Sequence, residues 1–262
     1  MVTKEFMTDL FEVRGKVALV TGATGALGKA ICVGYGLAGM KVMVTGRKEE
    51  TLKQLCEELK GHGIECGYSV GDPAAEEDVI RVVTDTVKRF GEINVLVTAA
   101  GYNKPQPIIE QDLSTWKQIM DSDVQGTWLY CKYTGEQMIR QGRGGKVILV
   151  SSARSKMGMA GYTGYCTAKG GIDLMAQSLA CEWTGKYHIN VNTINPTVFR
   201  SELTEWMFDP ESEVYKNFLK RLPIGRLGEP EDFVGPCLFL ASKASDFMTG
   251  ANVATDGGYW AN

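Results

Sequence analysis

The sequence predicts a single-domain α/β protein, spanning 1–262, built on a doubly wound, parallel, seven-stranded sheet with helices on both faces. Three observations carry that expectation. Short β-rich apolar runs at 17–21, 41–45, 64–70, 93–98, 146–151, 189–194 and 251–255 recur at intervals filled by amphipathic stretches, the rhythm of βαβ units. Runs such as VALVT and VILVS lack in/out alternation, which fits strands buried on both faces. The 262 residues include 31 glycines, an excess suited to many tight strand-to-helix turns.

Such a sheet binds ligands beyond the carboxyl ends of its strands, near the point where the strand order reverses, so functional residues are expected just after strands. The first run leads into TGATGALG at 21–28, a glycine turn that opens a helix near Leu27. Gly22 permits the tight turn, Gly25 leaves room for backbone to approach phosphate, and Gly28 lets the helix pack closely on the sheet. With Thr24 and Leu27 they form a turn whose N–H groups can meet a pyrophosphate, a Rossmann-type arrangement. After the second run, Thr45-Gly46-Arg47-Lys48 contains no acid to bond a ribose 2′-hydroxyl. Arg47 can pair a 2′-phosphate through its planar fork, with Thr45 and Lys48 in support, so NADP(H) is favoured and NAD(H) is the second option. Asp72, after the third run, is placed either to bond the adenine amino group or to cap a helix in PAAEEDV, with Pro73 at its first helical position.

The fifth run ends at Ser151-Ser152, and Tyr165 follows thirteen residues after Ser152, in YCTAK. Tyr165 and Lys169 are i and i+4, one above the other on a helix, so the ammonium can favour a tyrosinate while Ser152 holds a substrate oxygen. The pair gains its meaning from placement, on a helix that follows a strand ending in serine at the same edge as the glycine turn. Between the sixth and seventh runs, a stretch at about 197–227 with Trp206, Met207, Phe208, Tyr215 and Phe218 interrupts the rhythm and is expected to form a substrate lid.

The totals exclude several function classes. A net charge of -3 leaves no polycationic footprint for nucleic acid, and Arg140, Arg143 and Lys146, broken up by glycines, read as a solvated loop. Seven cysteines without a CxxC pair argue against a disulfide framework or structural zinc and read as small buried apolar residues in a reducing compartment. His62 and His188 stand alone, so no metal site is expected, and His188 reads as a pre-strand surface residue. Residues 1–16 mix acids and bases where a signal peptide needs an apolar core, and no apolar run reaches membrane-spanning length, so no membrane partner and a cytoplasmic location are expected.

With these motifs placed, the chain resembles a short-chain dehydrogenase/reductase essentially end to end. TGATGALG is similar to the family's TGxxxGxG, TAAG at 98–101 to its NNAG, DVQGT at 123–127 to its NVxGT, YCTAK to its YxxxK, and TGANVATDGG at 249–258 to its closing strand and turn. The resemblance implies a hydride transfer between a nicotinamide and an alcohol or carbonyl carbon. Ser152 would polarise the carbonyl, Tyr165 would deliver or remove the proton, and Lys169 would bond the nicotinamide ribose and assist the tyrosine. Asp123 falls on the position where the family has an asparagine next to a water that links the lysine to solvent. Ala99, Ala100 and Gly101 would line the cofactor ribose, and Pro196, Thr197, Val198 and Ser201 would approach the nicotinamide and phosphates. The chain departs from the family at Ala26, Thr98, Asp123 and Thr197. The family also implies a homotetramer, or a homodimer, on the helices holding 123–138 and 165–183 and on a C-terminal strand, near which Tyr259 and Trp260 could make the tail sticky.

Around the expected cleft lie Arg154, Tyr102, Tyr162 and Arg200, with Asn103, Lys104, Gln106, Ser155 and Lys156, a polar and partly cationic set that favours a small polyol, sugar or sugar acid. The segment LFEVRGKVALVTGATGALGKA and the VTGRKEE turn most resemble the gluconate 5-dehydrogenase and sugar-dehydrogenase branch of the family. Met157, Met159, Trp206, Met207 and Phe208 could instead wall a pocket for a 3-oxoacyl thioester, a steroid or another lipophilic ketone. A third alternative, motivated by Asp123, Thr98 and Ala26, is a regulatory homologue that binds the nucleotide with impaired catalysis.

Overall fold

A computed structural model describes residues 2–262. Its strands are β1 (Val17–Thr21), β2 (Lys41–Gly46), β3 (Cys66–Val70), β4 (Val95–Thr98), β5 (Gly145–Val150), β6 (Ile189–Pro196) and β7 (Asn252–Thr255). They pair in the order β3-β2-β1-β4-β5-β6-β7, and every pairing is parallel. The order reverses between β1 and β4, where Val20 faces Val44 on one side and Val97 on the other. That reversal opens a crevice at the carboxyl ends of both strands.

The helices are α1 (Lys4–Leu10), α2 (Ala26–Leu37), α3 (Glu49–Gly61), α4 (Glu76–Phe90), α5 (Leu113–Ile119), α6 (Gly126–Gln141), α7 (Thr163–Tyr187), α8 (Glu213–Leu219) and α9 (Val234–Ala241). Successive strand residues feed opposite layers. Ala18, Val20, Val42 and Val44 join Ile31 and Tyr35 of α2, Leu52 and Leu59 of α3 and Leu240 of α9 on one face. Leu19 and Met43 join Val79 of α4, Leu129 and Met138 of α6 and Ile172 and Trp183 of α7 on the other. Burial on both faces is the physical reason the strands read as continuous apolar runs.

The differences from the sequence expectation are local. β3 and β4 begin at Cys66 and Val95, two residues later than their apolar runs, because Ile64 and Ile93 are buried before strand pairing starts. β6 runs on to Pro196, pairing with β7 through Pro196 and Thr255. Pro73 does not start a helix: α4 begins at Glu76 with Ala75 as its N-cap, and the Asp72 carboxylate instead accepts the Ala74 N–H at 2.9 Å in a local turn. Lys146 is no loop cation, since it is buried in β5 with its ammonium 2.7 Å from Asp246 and 3.1 Å from Asn190 Oδ1. Of the cysteines, Cys181 is exposed and Cys166 partly so, while the other five are buried. His188 is exposed at the end of α7 with φ 57°, where it closes the helix in the left-handed region.

The stretch at 197–227 folds as a helical turn at Glu205–Phe208 followed by α8. Leu222 and Leu227 are buried with Ala153 and Tyr259, and Val198, Phe208, Tyr215, Phe218 and Trp260 pack around them. Tyr259 is 2% exposed and packs inside the chain, while Trp260 beside it is partly exposed.

Candidate functional site

The crevice at the sheet reversal is a cleft of about 560 Å³ bounded by Gly22, Thr24, Gly25, Thr45, Arg47, Asp72 and Ala99–Gly101, among others. Gly25 precedes α2 with no side chain capping the helix, so the first N–H groups of α2 have no protein partner and face the cleft mouth. Two glycines make the turn possible. Gly22 sits at φ 61°, and a Cβ there would lie 2.6 Å from the Ala99 carbonyl; a Cβ on Gly28 would lie 2.2 Å from the Gly22 carbonyl. Leu27 contributes backbone to this turn while its side chain packs against the core. Ala100 is tied to the same edge by its N–H bond to Thr21 Oγ1, 3.1 Å. An unobstructed helix start, close backbone on both sides and a ready cleft fit a dinucleotide pyrophosphate.

At the second strand end, Arg47 lines both this cleft and an adjoining depression with Thr24, Lys29, Lys48 and Thr51. Thr45 turns inward instead: it is buried, with its hydroxyl 3.5 Å from Tyr130 Oη, and the cations lining the depression are Arg47, Lys48 and Lys29, the last paired with Glu58 at 2.7 Å. Asp72 lines the cleft beside Pro73 and Ala74.

The acid/base group forms where β5 ends and α7 begins. Ser152 Oγ accepts the Arg154 N–H at 3.1 Å, which leaves its hydroxyl proton free to donate to a substrate oxygen. Lys169, 4% exposed, donates to the Val150 carbonyl at 3.2 Å and stands 5.5 Å from the Tyr165 ring centre. Asp123 Oδ1 lies 3.8 Å from the Lys169 ammonium and accepts the Tyr102 N–H at 3.0 Å. Asp123 sits in a π-helical turn, Met120–Gln125, that joins α5 to α6 and aims the carboxylate inward. Gly101 must stay small, because a Cβ there would lie 2.5 Å from Asp123 Oδ1.

Burial presses the Lys169 ammonium toward neutrality, yet the acidic groups around it, Asp123 first and then the Tyr165 phenol and Asp173, outweigh that pressure and hold it above the ordinary lysine value. Burial likewise pushes the Asp123 carboxyl above the ordinary aspartate range, against the pull of Lys169 and the Tyr102 N–H. Asp123 Oδ2 is buried without a partner among the described residues.

Other candidate residues are placed differently from expectation. Thr197 faces a separate depression with Phe199, Leu227 and Gly257, Val198 packs toward Leu222 and Tyr259, and the Ser201 hydroxyl is bonded to Thr204 Oγ1 at 2.8 Å. Pro196 closes β6 beside them. Arg200 is not a free cation: it pairs with Glu205 at 2.6 Å and Glu229 at 3.0 Å and lies over the Phe208 ring. Tyr162 is the N-cap of α7 and meets Tyr165 edge to face, with ring centres 6.3 Å apart. The apolar residues that could wall a lipophilic pocket do not gather. Met157 and Phe208 are drawn to the Tyr259 cluster, whereas Met159 and Trp206 are exposed.

Sequence reasoning missed Asp173 and Asn195. The Asn195 amide donates to Asp173 at 3.1 Å, Ser155 Oγ at 3.1 Å and the Ser152 carbonyl at 3.2 Å, joining α7, β6 and the serine turn in one buried bond set. The signal for Asp173 was present, since it stands i+4 from Lys169 on the same helix face. Ser114, Lys117 and Gln118 of α5 and Ser122 of the π-helical turn, which also line the cleft, carried no signal in the sequence.

A family profile described as Enoyl-(Acyl carrier protein) reductase matches residues 22–260. The chain is 41% identical over 256 residues to an uncharacterised oxidoreductase of Mycobacterium tuberculosis, covering 96% of this chain and 93% of the relative. It is 35% identical over 253 residues to a 2-dehydro-3-deoxy-D-gluconate 5-dehydrogenase of Formosa agariphila, covering 95% and 94%. Among solved structures, it superposes with TM-score 0.93 on a gluconate 5-dehydrogenase from Burkholderia cenocepacia in complex with NADP and tartrate, at 27% identity, covering 98% and 99%.

Two outcomes follow from this geometry. Gly28→Ala should raise the dissociation constant for NADPH by about 30-fold or more, because the methyl group must displace the turn that receives the phosphates; an unchanged constant in a fluorescence titration would remove the turn from the cofactor site. The second concerns pH. A carboxyl whose folded pKa lies above its unfolded one is stabilised by protonation, so ionised Asp123 costs stability at neutral pH and the cost falls away as pH drops through the raised value. Asp123→Asn should therefore melt above the wild type at pH 8, with the gap narrowing on acidification; a gap that widens would show that burial does not govern this carboxyl.

Proposed function

We propose that the chain, which belongs to the short-chain dehydrogenase/reductase family, uses Ser152, Tyr165 and Lys169 to interconvert an alcohol and a carbonyl on a small polyol, sugar or sugar acid with NADP(H), NAD(H) being the second option. The observation that carries this reading is a buried, charged Lys169 beside Tyr165, bonded to the end of β5 just before Ser152, at the same sheet edge as the phosphate-receiving turn. The sugar-acid names of the relative from Formosa agariphila and of the solved structure support the substrate class.

When bound, the nicotinamide supplies the hydride in reduction and takes it up in oxidation. The residues of the chain handle the oxygen and the proton. In reduction, the Ser152 hydroxyl donates to the carbonyl oxygen and Tyr165 gives that oxygen its proton as the carbon is reduced. The phenolate left on Tyr165 is stabilised by the Lys169 ammonium, and Asp123 balances the charge of Lys169 on its other side. Oxidation runs the same steps backwards. Tyr102 serves through its N–H, which orients Asp123, and Tyr162 and Arg154 flank the reacting centre. Ala99–Gly101 form the ribose wall, while Thr197, Val198 and Ser201 approach the nicotinamide end only through movement of the 197–227 segment as a lid.

The same reading includes a single catalytic domain over 1–262, a cytoplasmic location and self-association as a homotetramer or homodimer. Exposed Trp128 on α6 and Leu174 on α7, next to a groove with Met120, Val124 and Met175, support a shared helix face between copies. Use of cysteine chiefly as a buried apolar residue suits a reducing compartment, and no described helix is long and apolar enough to cross a membrane.

Two measurements test the reading. On any substrate found by screening polyols, sugars and sugar acids, Tyr165→Phe should lower kcat by about 1,000-fold; wild-type turnover by that variant would sink the proton-transfer role. Arg47→Asp should weaken NADPH binding by about 100-fold and NADH binding far less. Equal losses for the two cofactors would refute the 2′-phosphate assignment.

A further inference from the structure

We propose that Arg154, steadied by Tyr259, is the carboxylate anchor of the substrate cleft, so that the chain acts on hydroxy acids of the sugar series in preference to neutral polyols. The proposal rests on the hydride-transfer reading above and narrows its substrate class.

Arg154 stands two residues after Ser152 and is joined to it by the 3.1 Å bond from its N–H to Ser152 Oγ. Its Nη2 donates to Tyr259 Oη at 3.0 Å, and its guanidinium lies over the Tyr259 ring, 5.3 Å from the ring centre. Tyr259 is in turn buried and stacked by Arg221 at 4.3 Å, so the surface on which Arg154 rests is itself fixed. No carboxylate lies within ion-pair distance of Arg154 among the described residues, and its Nε and Nη1 have no partner there. The contrast with Arg200 decides the matter. That residue offers the same fork but has both sides taken by Glu205 and Glu229, so its charge is spent within the chain.

Position selects the ligand. Arg154 sits on the Ser152 turn, bonded through its N–H to Ser152 Oγ, and Tyr162, at the N-cap of α7, meets the Tyr165 ring edge to face with ring centres 6.3 Å apart. A fork rooted on the turn that carries Ser152 suits a group next to the carbon whose oxygen Ser152 holds. A planar, permanently charged donor with two open N–H groups, half screened from water, matches a carboxylate and has nothing to gain from a hydroxymethyl group. Orientation by Tyr259 removes much of the rotamer freedom that a long side chain would lose on binding.

The test compares matched aldonates and alditols of four to six carbons, which differ in a carboxylate against a hydroxymethyl group, with NADP⁺ and the purified full chain. The wild type should favour aldonates by about 100-fold in kcat/KM, the discrimination that one charge-assisted pair provides. Arg154→Gln should lose that preference by a similar factor, with the loss falling far more on aldonates than on alditols and NADPH affinity unchanged, and Arg154→Lys should recover part of it. Tyr259→Phe, which keeps the ring and loses the 3.0 Å bond, should raise KM for the aldonates several-fold with little change in kcat. Equal use of both series by the wild type, or equal losses on both in Arg154→Gln, would overturn the anchor. If neither series turns over, the sugar-oxidising reading fails separately, and calorimetric titration of D-gluconate into the NADP⁺ complex decides the anchor: binding by the wild type that vanishes in Arg154→Gln supports it, and absent or equal binding overturns it.

Discussion

Lys169 is 4% exposed, and an ammonium at that depth loses its proton unless its surroundings replace what water no longer provides. The replacement comes from several elements at once: the Val150 carbonyl at the end of β5, Asp123 from the π-helical turn, Tyr165 one helical turn back and Asp173 one helical turn on. The carboxylates supply charge, the carbonyl supplies a hydrogen bond, and the glycine at 101 keeps the Asp123 side chain close enough to count. The sheet edge, the break in helix geometry before α6 and the length of α7 can all be understood as conditions for keeping one cation charged where Tyr165 needs it.

The same cation imposes demands on its neighbours. Asp173 is a buried carboxylate that accepts from the Asn195 amide, and that amide also reaches the Ser152 carbonyl and Ser155 hydroxyl. Its own carbonyl is held by Thr193 Oγ1 at 2.9 Å, so the Asn195 side chain has a defined orientation. A change in the charge or position of Asp173 therefore acts on both Lys169 and the serine turn. Buried polar sets of this kind are costly if half satisfied, which favours a single arrangement of α7 against β6.

The sequence showed what depends on local spacing. Periodic apolar runs located the strands because burial on both faces leaves few polar residues in them, and Gly22 and Gly28 were legible because only glycine fits the left-handed turn and the close helix approach. Tyr165 and Lys169 were legible as an i, i+4 pair. What depends on long-range charge pairing was not. Lys146 read as a loop cation until Asp246, one hundred residues away, was found beside it, and Arg200 read as free until Glu229 closed on it. The turn at 72–75 misled for a related reason: Pro73 and the following acids promise a helix start, but Asp72 satisfies a nearer N–H first and delays the helix to Glu76.

Pairing also explains how two arginines of similar sequence character come to differ. Both Arg154 and Arg200 follow a strand and both lie over an aromatic ring, Tyr259 in one case and Phe208 in the other. A phenol can accept a hydrogen bond without cancelling charge, whereas a carboxylate cancels it, so the tyrosine holds Arg154 in place and leaves its charge available. The glutamates around Arg200 instead tie the 197–227 segment to the turn before α9, a structural use of the same side chain. The C-terminal residues thereby take part in the site without lining the cofactor cleft: Trp260 Nε1 bonds the Ala153 carbonyl at 2.9 Å and Tyr259 fixes Arg154, so the last turn of the chain grips the residues immediately following Ser152.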